Sequence, residues 1–151
     1  MDDSQLLLFP EMSVKAKIID KECVDITDID VRFIGDKEIH RKSNLMIDKL
    51  KALPKGRYFC FKEGENGFPY VQNIKTGRVL SINFSRNQYP CVSVGGVAIA
   101  CHRLFALAFI ENDDPSKKLE VDHVDEVKTN YKLPNLNWMT CSRHSRKSRR
   151  K

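Results

Sequence analysis

VDHVDEVKTNYKLPNLNWMTCSRH, running from Val121 to His144, is the stretch whose reading decides this chain. It opens with an acid beside an imidazole, Asp122-His123, and closes with a second imidazole, His144, inside a run of arginines and lysines. Asn135 stands between them, directly before Leu136-Asn137-Trp138. A carboxylate, two imidazoles and neighbouring cations suit metal-assisted attack on a phosphodiester. In that reading Asp122 and His144 hold one divalent ion, and His123 is left to take a proton from water.

Alternation gives the stretch its shape. Leu119 and Val121 alternate with Glu120 and Asp122, which predicts a short strand that buries its apolar side chains. Asp122 then falls on the polar face at the strand's end, and His123 begins a loop. Leu136 and Trp138 share one face of a second strand and send Asn135 and Asn137 to the other. Thr140 or Ser142 is expected to cap a final short helix carrying His144. The expected order is strand, long loop, strand, helix, with the ion held between the first strand and the helix.

The combination Asp122, His123, Asp125, Lys128, Asn130, Asn135, Leu136, Trp138, Thr140 and His144 resembles the HNH endonucleases, also called His-Me finger or ββα-metal nucleases. The resemblance is closest to the phage and intron-associated homing type. It continues upstream through Gly77-Arg78-Val79 and the segment from Gln88 to Ile110, and covers about the last half of the chain. Residues before about Arg57 match nothing comparable.

The resemblance implies roles. His123 is the general base, and Asp122 and His144 ligate one divalent cation, Mg²⁺ first, with Mn²⁺ or another transition metal as alternatives. Asn135 braces the loop and orients the His123 ring. Arg143, Arg146, Lys147, Arg103 and Lys128 are implied as DNA contacts. DNA is the implied partner, with no membrane.

Two departures from the family pattern stand out. Relatives often carry Gly-Asn after the acid at position 125, whereas this chain has Glu126-Val127, which removes a turn glycine and adds a negative charge near the scissile phosphate. Homing relatives also extend past the finger with helical DNA-reading modules, and here seven residues follow His144. Two further readings therefore stand beside an active homing-type enzyme. One is a nucleic-acid-binding protein with a degenerate, weakly active or inactive finger. The other is a nicking or structure-selective nuclease serving packaging, recombination or repair.

Outward from the finger, Cys101 to Ile110 switches to helical periodicity, with Leu104, Leu107 and Ala108 on one stripe bordered by Phe105 and Phe109. Asn112-Asp113-Asp114-Pro115 ends it. His102 is read as structural or as a phosphate contact, because the finger supplies a complete set without it. From Arg57 the texture is strand and turn. Tyr58–Phe61, Tyr70–Ile74, Val79–Ile82, Tyr89–Val94 and Val97–Ala100 are expected strands. Asn66-Gly67, Lys75-Thr76-Gly77 and Gly95-Gly96 are the turns between them. Ser43 to Leu53 fits a short helix ended by Pro54 and Gly56. Val14–Ile19 and Val24–Val31 partly alternate as strands, with Asp25, Asp28 and Asp30 expected on a solvated face.

Charge is split along the chain. Residues 1–40 carry ten acids against five Lys or Arg, and the remainder 21 bases against ten acids, for a total of +6. The run from Cys141 to Lys151 has no acid, which suits a polyanion partner beside the ion site. No apolar run approaches the roughly 20 residues of a membrane span. Acidic Asp2-Asp3 stands where a secretory leader needs a basic start, so an intracellular protein is expected. The five cysteines, Cys23, Cys60, Cys91, Cys101 and Cys141, form no CxxC pair. They are read as reduced structural thiols, and no structural zinc is expected.

The fold class expected is α+β: antiparallel β-hairpins and a short helix leading into a C-terminal ββα-metal finger. Residues 1–55 are expected to be an acidic N-terminal appendage, and 56–151 the HNH domain. Within it, 56–110 would be a β-rich DNA-contacting segment with its helix, and 119–151 the finger.

Overall fold

Turns rich in glycine and asparagine set the strand boundaries in the residues that the computed structural model describes, 17–29, 48–85 and 88–140. The first sheet orders β1 (Cys23–Asp25), β2 (Tyr58–Phe61), β3 (Tyr70–Asn73) and β4 (Arg78–Val79), all antiparallel. Between β2 and β3 the Gly64 amide donates to the Phe68 carbonyl at 2.8 Å, and the Asn66 side chain accepts from the Phe68 amide at 3.0 Å. That reversal sets Phe61 opposite Tyr70, with their rings stacked 5.0 Å apart.

The strand expected over Val79–Ile82 divides. Arg78–Val79 completes the first sheet, and the Leu80 amide still donates to Val71 at 2.9 Å. The chain then crosses to a second sheet of β5 (Ile82–Phe84), β6 (Pro90–Val94) and β7 (Val97–Ala100). Gly95 and Gly96 join β6 to β7 with φ of 58° and 85°, the left-handed pair that a two-residue hairpin turn requires. Gly95 has a second reason to lack a side chain. A Cβ there would stand 2.6 Å from Leu53 Cδ2, in the chain that follows a helical turn at 48–51. That turn supplies part of the expected helix, and Leu50 within it is 2% exposed.

Helix α1 (Cys101–Phe109) follows β7 directly and packs against β6, β7, β8 (Glu120–His123) and β9 (Leu136–Met139). Coverage by four strands explains a departure from the expected stripe. Phe105 and Phe109 are completely buried with Leu104, whereas Leu107 is half-buried. Burying each of these phenylalanines contributes roughly 1.5–3 kcal/mol. The Trp138 indole nitrogen donates to the Ile110 carbonyl at 3.1 Å and ties β9 to the end of the helix.

The N-terminal strands are shorter than their alternation predicts. Ile18 forms a bridge with Ile110, and the chain on either side is held by the Ile19 amide on Phe109 and the Glu111 amide on Lys17, both at 2.8 Å. The run from Val24 stops at Asp25, and Asp25 is not on a solvated face. It is buried, caps a 3-10 turn at Ile26–Asp28, and accepts from the Thr27 amide and hydroxyl and, across the fold, from the Gly56 amide at 2.7 Å. Burial works against its charge, but these bonds and nearby Lys55 outweigh it and hold the carboxyl below its ordinary value. Asp28 stays exposed and pairs with Lys55 at 3.1 Å, while Asp30 lies outside the described residues.

Ile26, Ile29 and Leu50 bury in the same cluster as Val121, Leu136 and Trp138, so the described part of residues 1–55 packs with the rest and does not stand apart as an appendage. Cys23, Cys60, Cys91 and Cys101 are free thiols, and burial pushes Cys101 up to about 12. Cys91 faces Ala100 across the β6–β7 hairpin, so it does not lie opposite Cys101. The fold is α+β with antiparallel hairpins. The helix expected to follow β9 lies outside the described residues. Among those described, no helix is long and apolar enough to cross a membrane.

Candidate active site

Strands β8 and β9 pair Val121 with Trp138, Asp122 with Asn137, and His123 with Leu136. Because side chains alternate, Val121, His123, Leu136 and Trp138 share the core face, and Asp122 and Asn137 take the other. His123 therefore does not begin the loop, as alternation in the sequence predicted. It is the last paired residue of β8 and only 7% exposed, whereas Asp122 is half-buried.

The loop behind His123 is locked by short hydrogen bonds. The Glu126 amide donates to the His123 carbonyl, and the Val124 amide to the Asn135 carbonyl, both at 2.8 Å. The Asn135 side chain donates to Asp125 Oδ1 at 2.9 Å and to the Asn130 carbonyl at 2.8 Å, and it accepts from the Asp125 amide at 3.0 Å. Asp125 also accepts from the Asn130 side chain at 2.8 Å and the Val127 amide at 2.9 Å. The Asn130 bond above all, then those from Val127 and Asn135 with His123 nearby, keeps the Asp125 carboxyl below the usual carboxylate range. Asn135 is thus placed to brace the loop. Glu126 has φ of 64°, the left-handed conformation that a glycine adopts without strain.

Three rings meet at the end of β8. The His123 and His102 centroids lie 4.7 Å apart, Tyr89 and His102 5.0 Å, and Tyr89 and His123 5.8 Å. Lys128 Nζ stands 5.1 Å from the Tyr89 ring centroid. Arg103, expected on DNA, is taken up elsewhere: its guanidinium donates to the Leu119 carbonyl at 2.9 Å and lies 3.6 Å from Glu120, with 12% of its side chain exposed. It braces α1 against β8.

Arg143, His144, Arg146 and Lys147 lie outside the described residues. Among the described residues no three His, Cys, Asp or Glu side chains come together to hold a metal ion. Asp122 fits one oxygen ligand of a hard divalent ion, being half-buried at a strand end and directed away from the apolar face.

No family model matches the chain. The chain is 34% identical over 82 residues to an uncharacterized HNH endonuclease of Acanthamoeba polyphaga mimivirus, a match covering 51% of this chain and 20% of that protein. It is 30% identical over 105 residues to the H-N-H endonuclease F-TflII of Escherichia phage T5, covering 66% of this chain and 52% of the relative. A solved structure describing DNA binding and cleavage by the HNH homing endonuclease I-HmuI superposes with a TM-score of 0.52 at 27% identity, over 64% of this chain and 53% of that one. The chain is HNH homing-endonuclease-like. It spans between a fifth and about half of the length of these relatives.

Within this HNH-like chain the structure brings His123, Asn135 and Lys128 into one neighbourhood, with Asp122 on the adjoining face of β8. The sequence did not place Tyr89 or His102 there. His102 carried a signal, as a histidine opening the helix before the finger, but Tyr89 carried none.

Proposed function

We propose that the chain is a metal-dependent HNH endonuclease that hydrolyses DNA phosphodiester bonds, with His123 as general base and Asp122 and His144 as protein ligands of one divalent cation. One observation carries this reading: the Asp122-His123 pair ends a strand whose following loop is cross-braced by Asn135 and Asp125, in a chain similar to proteins named HNH endonucleases. A neutral His123 imidazole accepts the proton of the attacking water near neutral pH. Asn135 fixes the loop from which that imidazole is presented. Asp122 and His144 would hold a divalent ion, Mg²⁺ or Mn²⁺, which would supply positive charge where negative charge grows on the phosphate. Lys128, Arg143, Arg146 and Lys147 contribute phosphate contacts that position DNA without reading bases. Residues 56–110 contribute the wider DNA-contacting surface.

Glu126 bears on the alternative of a degenerate finger. Its left-handed backbone closes the turn that glycine closes in relatives, so losing the glycine has not opened the loop. That supports an active enzyme. The test is supercoiled plasmid with and without Mg²⁺ or Mn²⁺, for the wild-type chain and His123→Ala. Metal-dependent nicking or linearisation is expected. His123→Ala should cut about 10²–10⁴-fold more slowly while keeping its DNA affinity. Equal rates would remove His123 from the chemistry, and wild-type protein that binds DNA without cutting would favour the degenerate finger.

A further inference from the structure

Beyond the finger's own residues, we propose that Tyr89 and His102 are positioning residues for His123, forming with Lys128 a ring platform that fixes the imidazole in one orientation. The proposal rests on the reading of His123 as the base. Its physical ground is the freedom of a histidine ring. Backbone pairing with Leu136 fixes the Cα of His123 but leaves the ring its side-chain torsions, of which the outer is broad and roughly two-fold. A base acts only when the correct nitrogen faces the water, and a misplacement of about 1 Å can lower a rate on the order of 10²-fold.

Three separate elements supply that restriction. His102 comes from the first turn of α1, Tyr89 from the approach to β6, and Lys128 from the loop after β8. All three ring-to-ring distances, 4.7, 5.0 and 5.8 Å, fall in the range of about 4.5–7 Å where aromatic rings attract. His102 is tilted to His123 by 52° and to Tyr89 by 36°, and Tyr89 stacks on His123 at 29° with the centroids 5.8 Å apart. The Lys128 ammonium, 5.1 Å from the Tyr89 centroid, lies within reach of a cation–ring attraction and links the platform to the loop.

Backbone strain marks the same place. Among the described residues only Gln88, at φ 66°, and Glu126, at φ 64°, are non-glycine residues with a left-handed backbone. Gln88 immediately precedes Tyr89 in a turn closed by the Gln88 amide on Ser85, the Ser85 amide on Tyr89, both at 2.9 Å, and the Tyr89 amide on Ser85 Oγ at 3.2 Å. Glu126 closes the turn on the His123 carbonyl. Left-handed conformations in non-glycine residues persist where the surroundings over-determine them, and they concentrate at functional sites. Here one strained turn delivers Tyr89 and the other holds the chain that leaves His123.

The test compares Tyr89→Leu, Tyr89→Phe and His102→Leu with wild type. The measurements are single-turnover cleavage of a saturating duplex with Mn²⁺, duplex affinity without metal, thermal stability, and the His123 ring-proton resonances by NMR. Tyr89→Leu and His102→Leu should each lose roughly 10–100-fold in cleavage rate. Duplex affinity should stay within about threefold, since the platform turns both rings to His123 and takes His102 as structural rather than as a phosphate contact. Tyr89→Phe, which keeps the ring, should recover most of what Tyr89→Leu loses. The His123 resonances should move in Tyr89→Leu and His102→Leu and stay in place in Tyr89→Phe. Wild-type rates in both folded leucine variants would overturn the platform, as would a phenylalanine variant as slow as the leucine one. If wild type itself does not cut, the nuclease reading falls and the resonances decide alone: unmoved resonances overturn the platform. Tyr89 and His102 are both half-buried, so substitution spares the core, and if one leucine variant fails to fold the other carries the test.

Discussion

Asp125 and Asn135 hold each other twice, the Asn135 side chain donating to the Asp125 carboxylate at 2.9 Å and accepting from the Asp125 amide at 3.0 Å. Ten residues of chain are closed by this pair, and the loop they close follows directly on His123. Because Asn135 also holds the Asn130 carbonyl, one side chain governs three points of the loop.

Asn135→Ala should therefore cost about 1–2 kcal/mol of stability, read as a lowered urea midpoint, since it strands partners that the native loop satisfies. Cleavage should fall more steeply than stability. Asn135→Asp should be worse near neutral pH, where it sets a second carboxylate against Asp125, and should improve on acidification. An Asn135→Asp variant as stable as wild type at pH 7 would show that this pair does not hold the loop.

Glu126→Gly should stabilise the chain by about 0.5–1 kcal/mol. An ordinary residue spends about 1–2 kcal/mol in the left-handed region, more than the extra chain entropy glycine loses on folding. The urea midpoint should rise with an unchanged slope. A lowered midpoint would mean that the Glu126 side chain contributes more than its backbone costs.

Asp25 gives a pH dependence with a definite sign. Its folded carboxyl titrates below the ordinary value of 3.8, so its stabilisation is complete above about pH 4 and is lost as pH falls through the lower folded value. Asp25→Asn should be less stable by about 1–2 kcal/mol at pH 6, because the capping and Gly56 bonds weaken. The gap between the two proteins should begin to narrow as pH falls below 3.8 and go on narrowing toward the lower folded value. A constant gap from pH 6 to 3 would show that the charge of Asp25 does not matter.

Asp122→Ala should weaken Mn²⁺ binding, followed by calorimetry, and reduce cleavage with it. His144→Asn should be milder, since the asparagine side-chain oxygen can still offer a ligand to a hard divalent ion. Equal Mn²⁺ affinity for wild type and Asp122→Ala would remove Asp122 from the ligand set.

Local patterns were legible in the sequence and long-range placements were not. Val121, Leu136 and Trp138 announced β8 and β9 because strand alternation is a property of the segment itself. Gly95-Gly96 announced its turn for the same reason. The loss of glycine at Glu126 was visible too, and the structure shows the backbone holding the glycine conformation regardless. By contrast, Asp25 is held in the fold partly by an amide 31 residues away, at Gly56, and no window around Asp25 contains it. The hold of Arg103, implied as a DNA contact, on a carbonyl 16 residues downstream was likewise invisible in the sequence. Tyr89 and His102 meet His123 only after a turn, a helix and a strand have packed.

Leu53, seated against Gly95, and Leu50, buried three residues before it in the chain, also bear on how this finger could be moved between proteins. A cassette cut between residues 55 and 56 would keep every residue assigned to the chemistry. It would also leave behind Leu53, which covers Gly95 of the β6–β7 turn, together with Leu50, Ile26 and Ile29 of the same apolar cluster. The graft would carry an open apolar seam in the cluster to which α1 and β8 also belong. A transplant that works should begin upstream of Asp48 and bring a stand-in for the Ile26 to Ile29 segment, so the smallest exchangeable unit is larger than the motif that identifies it.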